Sequence, residues 1–138
     1  MRAAINVLSE YKYHIQDDRS LHVSLAQIRQ QAVTMGCPDF KLAKLLTVAS
    51  ELGRNILKYA GSGSLSVKRI EENAKKGIEI CAIDKGPGIE DIEQAMKDNV
   101  STSGTLGLGL PGTKRLSDDF HIHPKVGEGT TVQALVWI

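Results

Sequence analysis

The longest periodic segment of this chain runs from Asp39 to Tyr59 or Ala60, opened by Pro38 and closed by Gly61. Leu42, Leu45, Leu46, Ala49, Leu52, Ile56 and Ala60 recur along it at spacings of three and four, the period of a helix buried along one face. Such a helix needs a second layer to cover its apolar stripe, and the flanking segments supply one. Tyr11, Tyr13 and Ile15 alternate with polar neighbours, which predicts an opening strand. Leu21, Leu25, Ile28, Ala32 and Met35 predict a helix over 20–35, stopped by Gly36. Residues 65–70 and 78–83 alternate as a hairpin, with the polar stretch 72–77 as its turn. A short helix over 89–96, a Gly/Ser/Thr-rich loop over 97–108 and a helix over 110–118 follow. Two last strands, 120–125 and 130–138, flank the turn Gly127-Glu128-Gly129. Strands and helices are mixed and hairpins occur among the strands. That order predicts an α+β fold: a two-layer α/β sandwich, with a mostly antiparallel mixed sheet packed on helices.

The 138 residues read as a single domain spanning 1–138. Lys and Arg nearly balance Asp and Glu, for a net charge of +1, which argues against a mainly electrostatic nucleic-acid binder. No apolar run approaches the ~18–20 residues of a membrane span, and the first residues do not resemble a signal peptide. Cys37 and Cys81 form neither a metal spacing nor a disulfide framework, so a reducing, cytoplasmic setting is expected.

Four features carry candidate chemistry. On a helical wheel Glu51, Asn55 and Lys58 fall together, opposite the apolar set, at spacings of four and three. They can be a solvated helix face. They can equally be a working set, since an amide oxygen ligates a hard cation, an ammonium meets phosphate and a carboxylate takes a proton. Asp84-Lys85-Gly86-Pro87-Gly88 follows the second hairpin strand. Gly86 and Gly88 permit a tight turn or close approach of a ligand to the backbone, and Asp84 is an acceptor for an exocyclic amino group. Ser103-Gly104-Thr105-Leu106-Gly107-Leu108-Gly109-Leu110 precedes a helix. Its glycines expose N–H groups at a helix N-terminus, as in a phosphate cradle, although neither the Walker lysine pattern nor the dinucleotide fingerprint fits. Gly127-Glu128-Gly129-Thr130 is a hairpin turn ending in a hydroxyl. His121 and His123 share one strand face without further ligands nearby, Cys37 and Cys81 read as buried thiols, and Trp137 reads as core or sheet-edge packing.

In combination and in this order, the motifs resemble the GHKL superfamily of ATP-binding domains. Glu51-x-x-x-Asn55 is similar to the N box, Asp84-x-Gly86-x-Gly88 to the first glycine box and Gly104 to Gly109 to the second, with Thr130 matching the threonine near the adenine-binding aspartate. The segments Glu51 to Gly61, Ser101-Thr102-Ser103-Gly104, Gly109-Leu110-Pro111-Gly112 and Lys114-Arg115-Leu116 most resemble the stand-alone anti-sigma-factor and switch serine kinases, and among them the RsbT-type stressosome switch kinases. Two departures are Lys85 beside the adenine-binding turn and the two residues separating Gly104 from Gly107. The resemblance implies a Bergerat-type fold that binds ATP with Mg²⁺. It implies Glu51 as the catalytic carboxylate and Asn55 as the metal ligand. Nucleotide binding would fall to Asn55, Lys58, Asp84, Gly86, Gly88, Gly104, Thr105, Leu106, Gly107, Leu108, Gly109 and Thr130. The implied activity is serine/threonine phosphorylation of STAS-domain scaffold or antagonist proteins, with release to activate a PP2C-type phosphatase in a stress pathway. The rival readings are an anti-sigma-factor kinase that binds a sigma factor, and a non-catalytic ATP-gated binding module. Arg54, to one side on the wheel, reads as part of a partner surface.

Overall fold

The computed structural model describes residues 5–85, 109–125 and 128–138. Its elements are β1 (Asn6–Ile15), α1 (Asp18–Thr34), α2 (Asp39–Tyr59), β2 (Gly63–Glu72), β3 (Lys75–Asp84), α3 (Gly109–Leu116), β4 (Asp119–Lys125) and β5 (Gly129–Trp137). The expected helix over 89–96 and loop over 97–108 lie outside the described residues. The strands form one five-stranded sheet in the order β1-β2-β3-β5-β4, and all four pairings are antiparallel. Helices pack on one face. This is the predicted two-layer sandwich, a mixed α/β fold of the Bergerat type. Among the described residues no helix is long and apolar enough to cross a membrane.

Local chemistry explains the element ends. The helix expected from Ser20 begins earlier because Asp17 caps it. The Asp17 Oδ1 accepts from the Ser20 N–H at 2.7 Å, and the Ser20 Oγ accepts from the Asp17 N–H at 3.1 Å, a reciprocal capping box. The third helix runs over Gly109–Leu116, slightly shorter than expected. The hairpin turn is also shorter than the polar stretch 72–77 predicts. Asn73 and Ala74 both take positive φ, 52° and 67°, as the tight turn that matches the twist of antiparallel strands requires. The strands therefore extend to the pairs Glu71↔Lys76 and Glu72↔Lys75, opposite charges that favour the register.

Alternation along the strands divides the sheet. Ile15, Leu65, Val67, Ile78, Ile80, Ala82, Val132, Ala134 and Val136 face the helices and are all buried. They meet Leu21, Ile28 and Ala32 of α1 and Leu42, Leu45, Val48, Ala49, Leu52 and Ile56 of α2 in one core. The two cysteines are buried and free, and burial pushes both thiols above their ordinary pKa. Trp137 lies over Gly77 on the opposite face of the sheet, where a Cβ on the glycine would approach the indole Cε3 to 2.8 Å.

Candidate functional site

α2 lies between two helical neighbours and over the sheet, and this corrects the wheel reading. A helix with a single neighbouring layer would leave Glu51 and Asn55 in water. Here Glu51 is 8% exposed and Asn55 is half-buried. Gly53, about 160° around the helix from Glu51, faces α1 so closely that any Cβ would collide with the Leu21 Cδ1. With that flank filled by α1, the flank carrying Glu51 and Asn55 is buried on its own account.

The Asn55 Nδ2 is buried and has no hydrogen-bond partner among the described residues. An unmet buried amide group costs about 1–3 kcal/mol, so the side chain is held ready for a group that would use it. Its amide can present oxygen or nitrogen by a half-turn, and an amide oxygen suits a hard cation. An amide at this place could hold a hard cation through its oxygen or an anionic oxygen through its nitrogen. Glu51, one turn earlier, has the Arg54 Nη1 at 3.7 Å from its Oε1, an ion pair longer than a hydrogen bond. Arg54 thus leans toward the carboxylate while its side chain stays 47% exposed.

The strands bring the second half of the site. Asp84 is the register partner of Thr130, and its Oδ1 accepts from the Thr130 N–H at 3.3 Å. Gly129 makes this approach possible: its φ is 119°, and a Cβ there would strike the Asp84 carbonyl. Asn55, Asp84 and Thr130 share one small cavity with Leu52, Ile56, Tyr59, Ala82, Leu110 and Val132. The enclosed space is about 20 Å³, room for about one water, so these residues form the floor of a site. Three polar groups converge on a wall that is otherwise mostly apolar, the make-up common to small-molecule sites.

Asn55, Asp84 and Thr130 are thus brought together, with Glu51 on the same helix and outside the cavity wall. Lys58 is exposed and does not line the cavity, but its Nζ stands 5.2 Å from the centroid of the Tyr59 ring, which does. Gly109 opens α3. Gly86, Gly88, Gly104, Thr105, Leu106, Gly107 and Leu108 lie outside the described residues. Leu52 and Ile56 belong to the apolar stripe legible in the sequence, and the rest of the wall carries a signal there too. Leu52, Ile56 and Tyr59 share the helical stripe of Asn55, and Ala82 and Val132 sit two residues from Asp84 and Thr130 on the same strand faces.

A larger, open cavity of about 320 Å³ lies on the far face of the sheet, lined by Glu79, Asp119, His121, His123, Gln133 and Leu135. The two imidazoles stack at 6.2 Å between centroids, and the His121 Nε2 is 3.1 Å from the Asp119 Oδ1. Among the described residues no three acidic, imidazole or thiol side chains are grouped to hold a metal ion. Size therefore does not select the site; the convergence of Asn55, Asp84 and Thr130 on one wall does.

Residues 16–136 match the histidine kinase-like ATPase domain family. The serine/threonine-protein kinase RsbT of Bacillus subtilis is 46% identical over 110 residues, covering 80% of this chain and 83% of the relative. The anti-sigma F factor of Anoxybacillus flavithermus is 29% identical over 102 residues, covering 69% of this chain and 68% of that one. Among solved structures, the SiaB-SiaC complex of Pseudomonas aeruginosa contains a chain that superposes with a TM-score of 0.62 at 12% identity, covering 94% of this chain and 91% of its own. The RsbU and RsbW domains of Rv1364c from Mycobacterium tuberculosis superpose with a TM-score of 0.61 at 16% identity, over 91% of this chain and 32% of theirs. At those identities the structural likeness speaks for the fold.

Proposed function

Because the chain belongs to the histidine kinase-like ATPase domain family, on the branch of the switch and anti-sigma-factor kinases, we propose that it is a serine/threonine protein kinase acting as a partner switch. It uses ATP with Mg²⁺ to phosphorylate a STAS-domain scaffold or antagonist protein and, once released, engages a PP2C-type phosphatase. The observation that carries this reading is the buried Asn55 Nδ2, without a partner among the described residues, beside the Asp84–Thr130 pair.

Each residue has a defined task. The carboxylate of Asp84 accepts the exocyclic amino group of the base, and Thr130 holds that carboxylate through its N–H. Leu52, Ile56, Ala82 and Val132 flank the ring and exclude water. Asn55 offers its amide oxygen as the metal ligand. Lys58 swings from the Tyr59 ring to the phosphates, joined by backbone N–H groups around Gly107 and Gly109. Glu51 orients the incoming serine hydroxyl and takes its proton. When bound, the metal and nucleotide supply charge neutralisation and the phosphoryl group, so catalysis rests mainly on position and electrostatics.

The relative at 46% identity is by name a serine/threonine-protein kinase, which supports this reading over the anti-sigma one, whose relatives are 29% identical. The test is mass spectrometry of a STAS protein after incubation with this chain and MgATP. A single phosphate on one serine or threonine is expected, and an unchanged mass would favour the non-catalytic module. Capture of a sigma factor instead of a phosphatase would favour the anti-sigma kinase.

A further inference from the structure

The cavity on the far face of the sheet has no task in the nucleotide site, and strand register fixes its layout. Glu79 and Asp119 are both register partners of Leu135, from β3 on one side and β4 on the other. The two carboxylates therefore stand in one row with the leucine between them, two strand spacings or about 9–10 Å apart. The next row sets His121 beside Gln133, and His123 stacks on His121. Leu135 is 3% exposed. It makes an apolar floor with a carboxylate at either end and polar groups along one side. Glu79 has one ion-pair partner among the described residues, the Lys68 Nζ at 4.0 Å, which also meets Glu10 at 3.8 Å. Neither contact is as short as a hydrogen bond. Asp119 is oriented by its own strand: its Oδ1 accepts from the Phe120 N–H at 3.1 Å and lies 3.1 Å from the His121 Nε2.

We infer that this cavity binds a linear aliphatic diamine, one ammonium at Glu79 and the other at Asp119, with the methylene chain laid over Leu135. Each end of such a ligand finds a carboxylate for a charge-assisted hydrogen bond, and its middle finds the one apolar residue of the lining. The amide oxygen of Gln133 and a ring nitrogen of each neutral imidazole are acceptors for the remaining ammonium hydrogens. The ligand class follows from the spacing. A monoamine meets only one of the two carboxylates, and an amino acid brings a third carboxylate beside them. The net charge of the whole chain is +1, so a dication is drawn by this local arrangement and not by the molecule at large. β4 is an edge strand but a poor template for another, since Pro124 has no N–H and the Phe120 N–H is already taken. The mouth is thus left to a small ligand. Asn55, Asp84 and Thr130 lie on the helix side of the sheet, so the inference does not depend on the proposed function.

Titration calorimetry on the nucleotide-free protein at low salt tests it, with putrescine, cadaverine and butylamine as the probes. The diamines should bind in a one-to-one ratio. Butylamine matches putrescine in length but has one ammonium, and should bind at least about tenfold more weakly for want of one charge-assisted hydrogen bond. Glu79→Gln and Asp119→Asn keep the shape and remove a charge, and each should weaken the diamine by about tenfold. Lys68→Gln should act in the opposite direction and tighten it, because the cation that shares Glu79 is gone. Circular dichroism checks that the variants are folded, and the butylamine comparison needs the wild type alone. A wild type that binds neither diamine, butylamine that binds as well as putrescine, carboxylate variants that bind like the wild type, or a Lys68→Gln variant that binds more weakly would each overturn the inference.

Discussion

The two flanks of α2 are buried to similar depth and use that burial differently. On one flank Gly53 admits Leu21 of α1, and the contact is wholly apolar. On the other, a carboxylate sits 8% exposed with its ion-pair partner at 3.7 Å, and an amide nitrogen has no partner among the described residues. Native interiors satisfy nearly all buried polar groups. A flank that is complete by itself is scaffold. On the second flank the Asn55 Nδ2 remains open to a further group.

Changes on the two flanks should therefore separate function from stability. The largest effect is expected from Asn55→Ala. A direct metal ligand should exceed the about 10–100-fold typical of an outer-sphere partner, so Mg-dependent ATP binding and transfer should fall at least about 100-fold. Urea unfolding of the ligand-free variant should show no loss of stability, since the unmet amide is removed with the side chain. Wild-type kinase activity, or a clear drop in stability, would break the distinction between the flanks.

Glu51→Gln should keep nucleotide affinity and slow phosphoryl transfer about 100-fold, the low end for a positioned general base. Single-turnover transfer read by mass spectrometry checks it, and lost binding with normal turnover of the bound fraction contradicts it. On the scaffold flank, Gly53→Val should cost about 1–3 kcal/mol of stability by overpacking against Leu21. The protein that remains folded should bind ATP normally, as titration calorimetry would show. Asp84→Asn should weaken ATP about tenfold, the lower bound for one charge-assisted hydrogen bond; unchanged affinity would remove Asp84 from the site.

The smallest effect concerns the start of α1. The Ser20 N–H, and then its hydroxyl, hold the Asp17 carboxyl below its ordinary pKa. A depressed carboxyl stabilises the fold above its unfolded pKa, and that contribution is lost as pH falls through its folded pKa. Asp17→Ala should flatten the acid side of the stability profile in a pH series of urea midpoints and leave ATP affinity alone. Identical acid limbs in variant and wild type would refute the cap's contribution.

Much of the fold is legible in the chain. The three-and-four spacing of Leu42 to Ile56 marks α2 because a helix repeats every 3.6 residues. The alternation around Ile80 marks β3 because a strand repeats every two. The two-residue turn Asn73-Ala74 is not legible in the chain, because Ala carries no turn signal and only the twist of the joined strands selects positive φ there. The site was legible as motifs and misjudged as geometry. A wheel holds the angle of Glu51 but not the number of neighbours around the helix, so a buried carboxylate looks like a solvated one.

Local periodicity sets which residues share a face and which motifs stand ready: Glu51 with Asn55, Asp84 before its glycines, Thr130 after the last turn. Tertiary structure alone decided which faces meet. The order β3-β5 sets Asp84 beside Thr130 across 46 residues of chain. The seating of α2 between α1 and α3 takes Glu51 out of water and leaves the Asn55 amide unmet. The physical reason is range. Periodicity and capping act over a few residues and can be read along the chain. Strand order and helix packing are chosen cooperatively by contacts among segments far apart in sequence.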